Sequence, residues 1–468
     1  MNYGMSSRSA IRTLTRDPFH VGLSVLLIIG LSLMGCDSGG SGTSGGGDES
    51  TTTISGTVTD NNSSSSSPAT AASKASSQDG VEGATVTAVS VGADGSTRSL
   101  EGSATTNASG AFTLTVTGEG AASVIRLNAE GDNDFSSSVL VQVDGQGEVE
   151  AQPMTAETAA EANVYVAAKN EDEASSHEEG VTAADVALYV NAEAAADLSA
   201  GQAAAADVAT AIASSVEAES RMNSNADGGA SASAVAETKA TLYAELQSSL
   251  AAASNAEARA QAVTAFENGM ANLYVEAGGS EESQARSRQT GTSVMIEFSA
   301  ETSSQAELGL RRQAELLRAA ATAHAEEALF EAQGASTATI DALVDARQQL
   351  TADIRAATSV SAMVDAHSDY EAEVKTQMEG TFGVSTTAIA AAEMAIEANV
   401  TTLFTALAEI GGELKGAVEA AVNAYSTFYA NAQAAAKASF EANVDSEATA
   451  EAAAKALVFA SAQGHASS

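Results

Sequence analysis

Several residue types are scarce in this chain of 468 residues. It has one Cys, three Pro and no Trp, and aromatic residues make up 4% of the sequence. A single Cys excludes a disulfide framework and a thiolate-rich zinc site. With so few aromatic side chains, a hydrophobic core has to be built mainly from Ala, Val and Leu. A chain of this length is expected to form more than one domain.

Positive charge is also scarce. The chain has 61 Asp and Glu against 21 Lys and Arg, which gives a net charge of −40. This charge repels a phosphate backbone, so we predict no nucleic-acid partner. The carboxylates are scattered and form no long acidic blocks. This scatter resembles that of proteins from extreme halophiles, in which salt screens self-repulsion, and a cation-collecting surface is the alternative.

The N-terminus is typical of a targeting segment. A basic region with Arg8, Arg12 and Arg16 precedes an apolar run at residues 21–34. This run is too short to cross a hydrocarbon core of ~30 Å comfortably. It ends in Leu33-Met34-Gly35-Cys36, which holds the only Cys of the chain and resembles the lipobox of bacterial lipoproteins.

The lipobox resemblance implies a lipid anchor. Residues 1–35 would be a signal peptide that is cut between Gly35 and Cys36, and Cys36 would then carry acyl chains that hold it in a bilayer. Residues 36–50 are almost entirely Gly and Ser, as expected of a flexible tether. We therefore expect a protein on the extracytoplasmic side of a bacterial membrane, with inner or outer membrane left open. An uncleaved signal anchor with an incidental Cys is the alternative.

Residues 51–152 show the period-2 alternation and turn residues of short β-strands. Strands are predicted near residues 54–58, 84–89, 111–116, 123–127 and 138–143, with a hairpin turn at Asp94-Gly95 and an exposed Ser-rich loop at 63–77. The segments 54–60 (ISGTVTD), 81–86 (VEGATV) and 106–114 (TNASGAFTL) resemble the carboxypeptidase regulatory-like domain. That resemblance implies a small antiparallel, prealbumin-like β-sandwich that carries no active-site residues.

Residues 153–468 are Ala-rich and contain no proline after Pro153, so we predict an all-helical bundle or coiled coil. Helix ends are expected at Gly180, at Gly201, at 223–229, at Gly278-Gly279, at Gly334 and at 380–383. Alternating spacings of four and three near the C-terminus predict a coiled-coil seam, here called the heptad stripe. Its members are Ile389, Ile396, Val400, Leu403, Leu407, Ile410 and Leu414.

Two details of the heptad stripe are left open by its pattern. Glu393 occupies an expected apolar position, so the contact face either becomes wet there or shifts to Ala392. The stripe continues after Leu414 with a four-residue jump that resembles a stutter. We therefore expect one long helix through Gly411-Gly412, with a hairpin as the alternative. Packing within the chain and packing between chains are both possible.

No catalytic or metal centre is predicted. The central histidines are His177, His324 and His367; no two are four residues apart, and none follows a Glu by three residues. We therefore predict no metal and no cofactor, and we read His367 as a packed side chain on an apolar helix stripe. The basic residues Arg286, Arg288, Arg311, Arg312 and Arg318 either dock an acidic partner or pair with the protein's own Glu-rich helices.

The sequence thus predicts a non-enzymatic envelope lipoprotein with a structural or protein-interaction role. Its predicted partners are the bilayer, through Cys36, and a protein or second copy, through the helices. A surface protein that binds a small ligand or glycan is the alternative, with a pocket near Tyr274, Tyr370 or Tyr425. An envelope hydrolase is a second alternative, although no Ser, His and carboxylate set is marked by its spacing.

Overall fold

A β-sheet region is followed along the chain by an all-helical region, as the change in composition around Pro153 predicts. The computed structural model describes residues 51–60, 80–117, 123–132, 135–143, 147–171, 180–201, 203–224, 232–253, 256–298, 304–411 and 414–465. The predicted signal peptide, Cys36 with its tether, and the Ser-rich loop at 63–77 lie outside these described residues.

Seven strands form one curled mixed sheet in the order β6-β5-β2-β3-β4-β1-β7. Alternation explains why these segments become strands, since Phe112, Leu114 and Val116 of β4 are buried while the Thr residues between them are exposed. The strands are β1 (Thr51–Thr57), β2 (Thr85–Val91), β3 (Thr97–Thr105), β4 (Ala111–Thr117), β5 (Ser123–Glu130), β6 (Ser136–Val143) and β7 (Gly147–Glu150).

The expectation of a wholly antiparallel sheet is wrong at one edge. β1 pairs with β7 in parallel, with Ile54 opposite Val149. Parallel neighbours need a crossover between them, and here the chain passes through the other five strands before β7 returns beside β1. The predicted hairpin at Asp94-Gly95 is confirmed, because β2 and β3 pair antiparallel on either side of it and Gly95 has φ +72°.

Fourteen helices follow within the described residues. They are α1 (Ala156–Glu171), α2 (Ala183–Tyr189), α3 (Ala192–Ser199), α4 (Ala205–Ser224), α5 (Ala232–Ala252), α6 (Ala256–Ala271), α7 (Leu273–Glu276), α8 (Glu281–Phe298), α9 (Ser304–Ala332), α10 (Thr337–Ala356), α11 (Val360–Phe382), α12 (Thr386–Ala408), α13 (Leu414–Phe440) and α14 (Glu447–His465).

Local sequence signals explain where many of these helices begin and end. Ser336, Ser359 and Ser385 precede α10, α11 and α12, and each hydroxyl accepts a hydrogen bond from the backbone N–H three residues later. Gly383 follows α11 in the left-handed conformation that residues with a Cβ avoid, with φ +69°. Breaks predicted at several other glycines also fall between helices.

The heptad stripe packs inside the chain. Ile389, Ile396, Val400, Leu403 and Leu407 of α12 are all buried in a core shared with α11, α13 and α14. Ile410 packs against the same core and is partly buried, and Leu414 is the first residue of α13. At the irregular position the contact face shifts to Ala392, which is fully buried, while Glu393 accepts a hydrogen bond of 2.5 Å from Lys375.

The predicted continuous helix through Gly411-Gly412 is wrong. α12 ends at Ala408 and α13 begins at Leu414, and the two helices pack against each other. A short connection between helices that pack side by side makes them antiparallel. The apolar register continues across the break because both helices face the same core, so periodicity alone could not distinguish a hairpin from a stutter.

Polar side chains join the sheet to the helices, and the two regions belong to one compact unit. Gln247 of α5 donates from Nε2 to the backbone carbonyl of Leu140 in β6 at 3.2 Å. Thr158 of α1 donates its hydroxyl to the carbonyl of Ser138 at 3.0 Å. Leu140 is also buried in a hydrophobic core shared with the helices. The sheet and the helices are therefore joined both by apolar burial and by hydrogen bonds that fix the position of α1 and α5 against β6.

Candidate functional site

A groove of about 410 Å³ lies between α6, α9 and α10. Its floor is apolar and its walls carry amide, guanidinium and imidazole groups, a combination found in small-ligand sites. We call it the arginine groove. The residues that characterise it are Asn268, Leu317, His324, Arg347, Gln348 and Arg355.

Both arginines of this groove lie farther from their nearest carboxylate than six other arginines of the described residues do. Arg347 Nε lies 3.4 Å from Glu327, and Arg355 Nη2 lies 3.7 Å from Glu267. Six other arginines have a carboxylate contact of 3.0 Å or shorter; they are Arg221, Arg286, Arg288, Arg311, Arg312 and Arg318. Guanidinium groups that are not saturated by carboxylates keep donors available for another anion.

His324 helps to hold Arg347 at the wall of the groove. Arg347 Nη1 lies 3.0 Å from His324 Nε2, so the guanidinium donates to an unprotonated ring nitrogen. Burial and the neighbouring Arg347 charge lower the pKa of His324 below its ordinary value. The imidazole is therefore neutral at pH 7, and it can accept this bond without adding a competing positive charge.

A second groove of about 370 Å³ adjoins the first, since Glu267 and Arg355 line both. We call it the acidic groove, which is bounded by α1, α2, α5 and α6. Its characteristic residues are Glu157, Glu161, Leu188, Leu250, Val263 and Phe266. Val263 is 41% exposed there, whereas Phe266, on the same helix, is 5% exposed.

The tyrosines that the sequence suggested for a pocket do not line these grooves. Tyr274, Tyr370 and Tyr425 are all buried, at 1%, 2% and 6% exposure, and belong to the hydrophobic cores. Burial disfavours the phenolate, which raises the pKa of Tyr425 to about 12. Their role in the described structure is packing, and the arginine groove was missed because its residues come from three separated helices.

His367 is a packed histidine, as its apolar stripe predicts. Its Nε2 lies 2.9 Å from Glu315 Oε2, and Arg318 contacts the same oxygen at 2.6 Å. All three side chains are buried at the contact between α9 and α11. The described residues contain no group of three or more His, Cys, Asp or Glu side chains that could hold a metal ion.

The predicted basic concentration pairs with the protein's own carboxylates. Arg288 contacts Glu219 at 3.0 Å and also donates to the carbonyl of Met270 at 3.1 Å. The remaining members likewise have glutamate partners, which are Glu282, Glu307, Glu193 and Glu315. Of the two readings, these contacts favour internal pairing over docking of an acidic partner.

Comparison of the chain with protein-family models, curated proteins and solved structures finds no match. In the part of the chain that the structure describes, no helix is both long enough and apolar enough to cross a membrane.

Proposed function

We propose that this protein is a lipid-anchored envelope lipoprotein with a structural or protein-interaction role. The observation that carries the proposal is the order of segments at the N-terminus. A basic region, an apolar run and the only Cys are followed by a Gly/Ser tether, and the first described strand begins directly afterwards at Thr51. In this proposal the tether spaces the folded unit from the bilayer, to which Cys36 attaches it.

The anchor is tested in bacteria that express the full chain. Cys36→Ala should abolish incorporation of radiolabelled palmitate and should move the protein from the detergent phase to the aqueous phase or leave its precursor uncleaved. Ser38→Ala, two residues away in the tether, is the matched control and should behave as the parent does. Palmitate incorporation that survives Cys36→Ala would sink the proposal.

The scaffold role uses surfaces other than the heptad stripe. Because five stripe residues are already buried within this chain, a partner docks elsewhere on the folded unit.

We also propose that residues 51–152 form a β-sandwich similar to the carboxypeptidase regulatory-like domain. Support comes from the two strand groups, β3-β2-β5-β6 and β4-β1-β7, which contribute side chains to one core. Among the described residues, the ladder between β3 and β4 consists of the single pair Glu101–Thr117.

Binding of a small ligand is a second candidate function, and the arginine groove favours it. A volume of about 410 Å³ lies within the ~300–1,000 Å³ range of small-molecule sites. Ligand-observed NMR with mixtures of sugars, amino acids and organic acids tests this candidate. Ala320→Trp, which fills the groove, should remove any binding that occurs there, whereas binding unaffected by this substitution would place the ligand elsewhere.

A further inference from the structure

We propose that the arginine groove binds a small hydroxylated carboxylate, such as a sugar acid. The inference rests on the ligand-binding function proposed above and adds the chemical class of the ligand. Three observations carry it: the long distances from the two arginines to their nearest carboxylates, the polar groups of the wall, and the apolar floor.

The charges of the groove select a monoanion. Arg347 and Arg355 line the groove, and Glu267 is the one acidic residue among its described lining residues. Glu327 lies behind Arg347, 3.4 Å from its Nε, so Arg355 is the guanidinium left to receive a ligand carboxylate. Arg355 makes no hydrogen bond to another described residue, because its contact with Glu267 is 3.7 Å long. Its planar fork of donors matches a carboxylate. The Glu267 carboxylate would repel a second negative charge, which disfavours a dianion such as a phosphate monoester.

The wall offers groups that recognise hydroxyls. The side-chain amides of Asn268 and Gln348 line the groove and make no hydrogen bond to another described residue. Each amide presents both a donor and an acceptor, as a hydroxyl group does. Glu267 Oε1 accepts a bond of 3.2 Å from Gln313, which leaves Oε2 to accept from a ligand hydroxyl. The two amides and the Glu267 carboxylate together therefore suit a ligand with several hydroxyls.

The floor and the size of the groove exclude a bare inorganic anion as the intended ligand. Leu316, Leu317 and Ala320 form an apolar base on α9 that offers nothing to a hydrated ion. Such a base can instead cover the C–H face of a ring. The space of about 410 Å³ also exceeds what a carboxylate alone would occupy.

Isothermal titration of the full-length chain in non-ionic detergent tests the proposal, with glucuronate, glucose and inorganic phosphate as probes. Glucuronate should bind at least about tenfold more tightly than glucose or phosphate, since hydrogen bonds between charged groups are stronger than those between neutral groups. Arg355→Gln should weaken glucuronate binding by a similar factor. The Arg355 side chain is 54% exposed, so the variant should remain folded, which circular dichroism checks.

A matched control is Arg221→Gln in α4, which removes the same charge from an arginine outside the groove and should leave glucuronate binding unchanged. Equal affinity for glucose and glucuronate, or full affinity in Arg355→Gln, would overturn the carboxylate class while ligand binding itself stands. Phosphate that binds as tightly as glucuronate would overturn the sugar-acid class. If no compound in the wider mixtures binds, the ligand-binding function fails as well.

Discussion

The hydroxyl of Tyr370 donates a hydrogen bond of 2.6 Å to Oε2 of Glu326, at the buried contact between α11 and α9. Neither side chain reaches solvent to any useful extent, with exposures of 2% and 0%. Burial raises the pKa of Glu326 well above its ordinary value, although the bond from Tyr370 opposes this shift. The folded state therefore holds a proton on Glu326 at pH values at which an ordinary glutamate is ionised.

This proton makes stability depend on pH. The folded state retains it above the ordinary value of 4.5, where the unfolded chain releases it, so its stabilising contribution is present below pH 4.5 and is lost as pH rises towards the folded pKa. Glu326→Gln removes this pH-dependent loss of stability, because a glutamine side chain does not titrate. The free energy of unfolding of the variant relative to the parent should rise between pH 5 and 8, by up to ~1.4 kcal/mol per pH unit within the window.

Urea denaturation at several pH values measures this difference. Glu379→Gln, at an exposed position of α11, removes one carboxyl without a buried partner and is the control. Curves for Glu326→Gln and the parent that stay parallel from pH 5 to 8 would contradict a retained proton.

A buried ion pair connects α2 to α5. Lys239 Nζ contacts Asp185 Oδ1, and the two side chains are 7% and 2% exposed. Burial opposes ionisation of Asp185, but the charge and the hydrogen bond of Lys239 outweigh it, so the pKa of Asp185 lies below its ordinary value. Asp185 also completes a capping box with Thr182 at the start of α2.

Lys239→Met should destabilise the fold by ~3–5 kcal/mol, because it leaves the Asp185 charge buried without a partner. The double variant Asp185→Asn with Lys239→Met should cost less than the single one, since Asn carries no charge and can still cap α2. Chemical denaturation measures both, and Lys415→Met, an exposed lysine in α13, is the control. A double variant less stable than Lys239→Met would show that the charge is not the cause.

Gly291 allows α8 to approach α4 closely. A Cβ at this position would lie 2.5 Å from Cγ of Glu219 and 3.1 Å from Oγ of Ser215. Gly291→Ala should therefore destabilise the protein by ~1–3 kcal/mol through overpacking, despite the better helix propensity of Ala. Gly416→Ala, at an exposed helical position where an added Cβ would meet no other atom within 4 Å, should instead stabilise it by ~0.5–1 kcal/mol. Thermal unfolding measures the midpoint temperature of each variant relative to the parent. Equal midpoint shifts for the two variants would contradict overpacking at Gly291 as the cause.

Salt should stabilise the folded chain. The charge of −40 makes self-repulsion the dominant long-range electrostatic contribution, and ~1 M KCl shortens the Debye length to ~3 Å. Surface pairs such as Lys437–Glu447, in which the glutamate is 77% exposed, are screened as well, but exposed pairs contribute little. We expect the free energy of unfolding, measured by urea titration, to increase from dilute buffer to molar KCl. A decrease would mean that ion pairs outweigh repulsion in this chain.

Local signals predicted much of the secondary structure but missed β3. Residues 97–105 are almost entirely exposed, so they show none of the period-2 apolar alternation that marks β4. β3 forms because it pairs with β2 across the Asp94-Gly95 turn, and that pairing involves the backbone more than the side chains. β7 is short and exposed as well, and its parallel pairing with β1 depends on a chain reversal that no local pattern records.

The amino-acid sequence by itself determined the division into a β region and an all-helical region, six of the thirteen breaks between the described helices, and the apolar stripes of α11 and α12. These features follow from propensity, proline, glycine and periodicity, which act over a few residues. Only the tertiary structure decided that the heptad stripe closes within one chain, and that Glu267, His324 and Arg355 line one groove. Those contacts join residues far apart in the chain, and their positions depend on how whole helices pack.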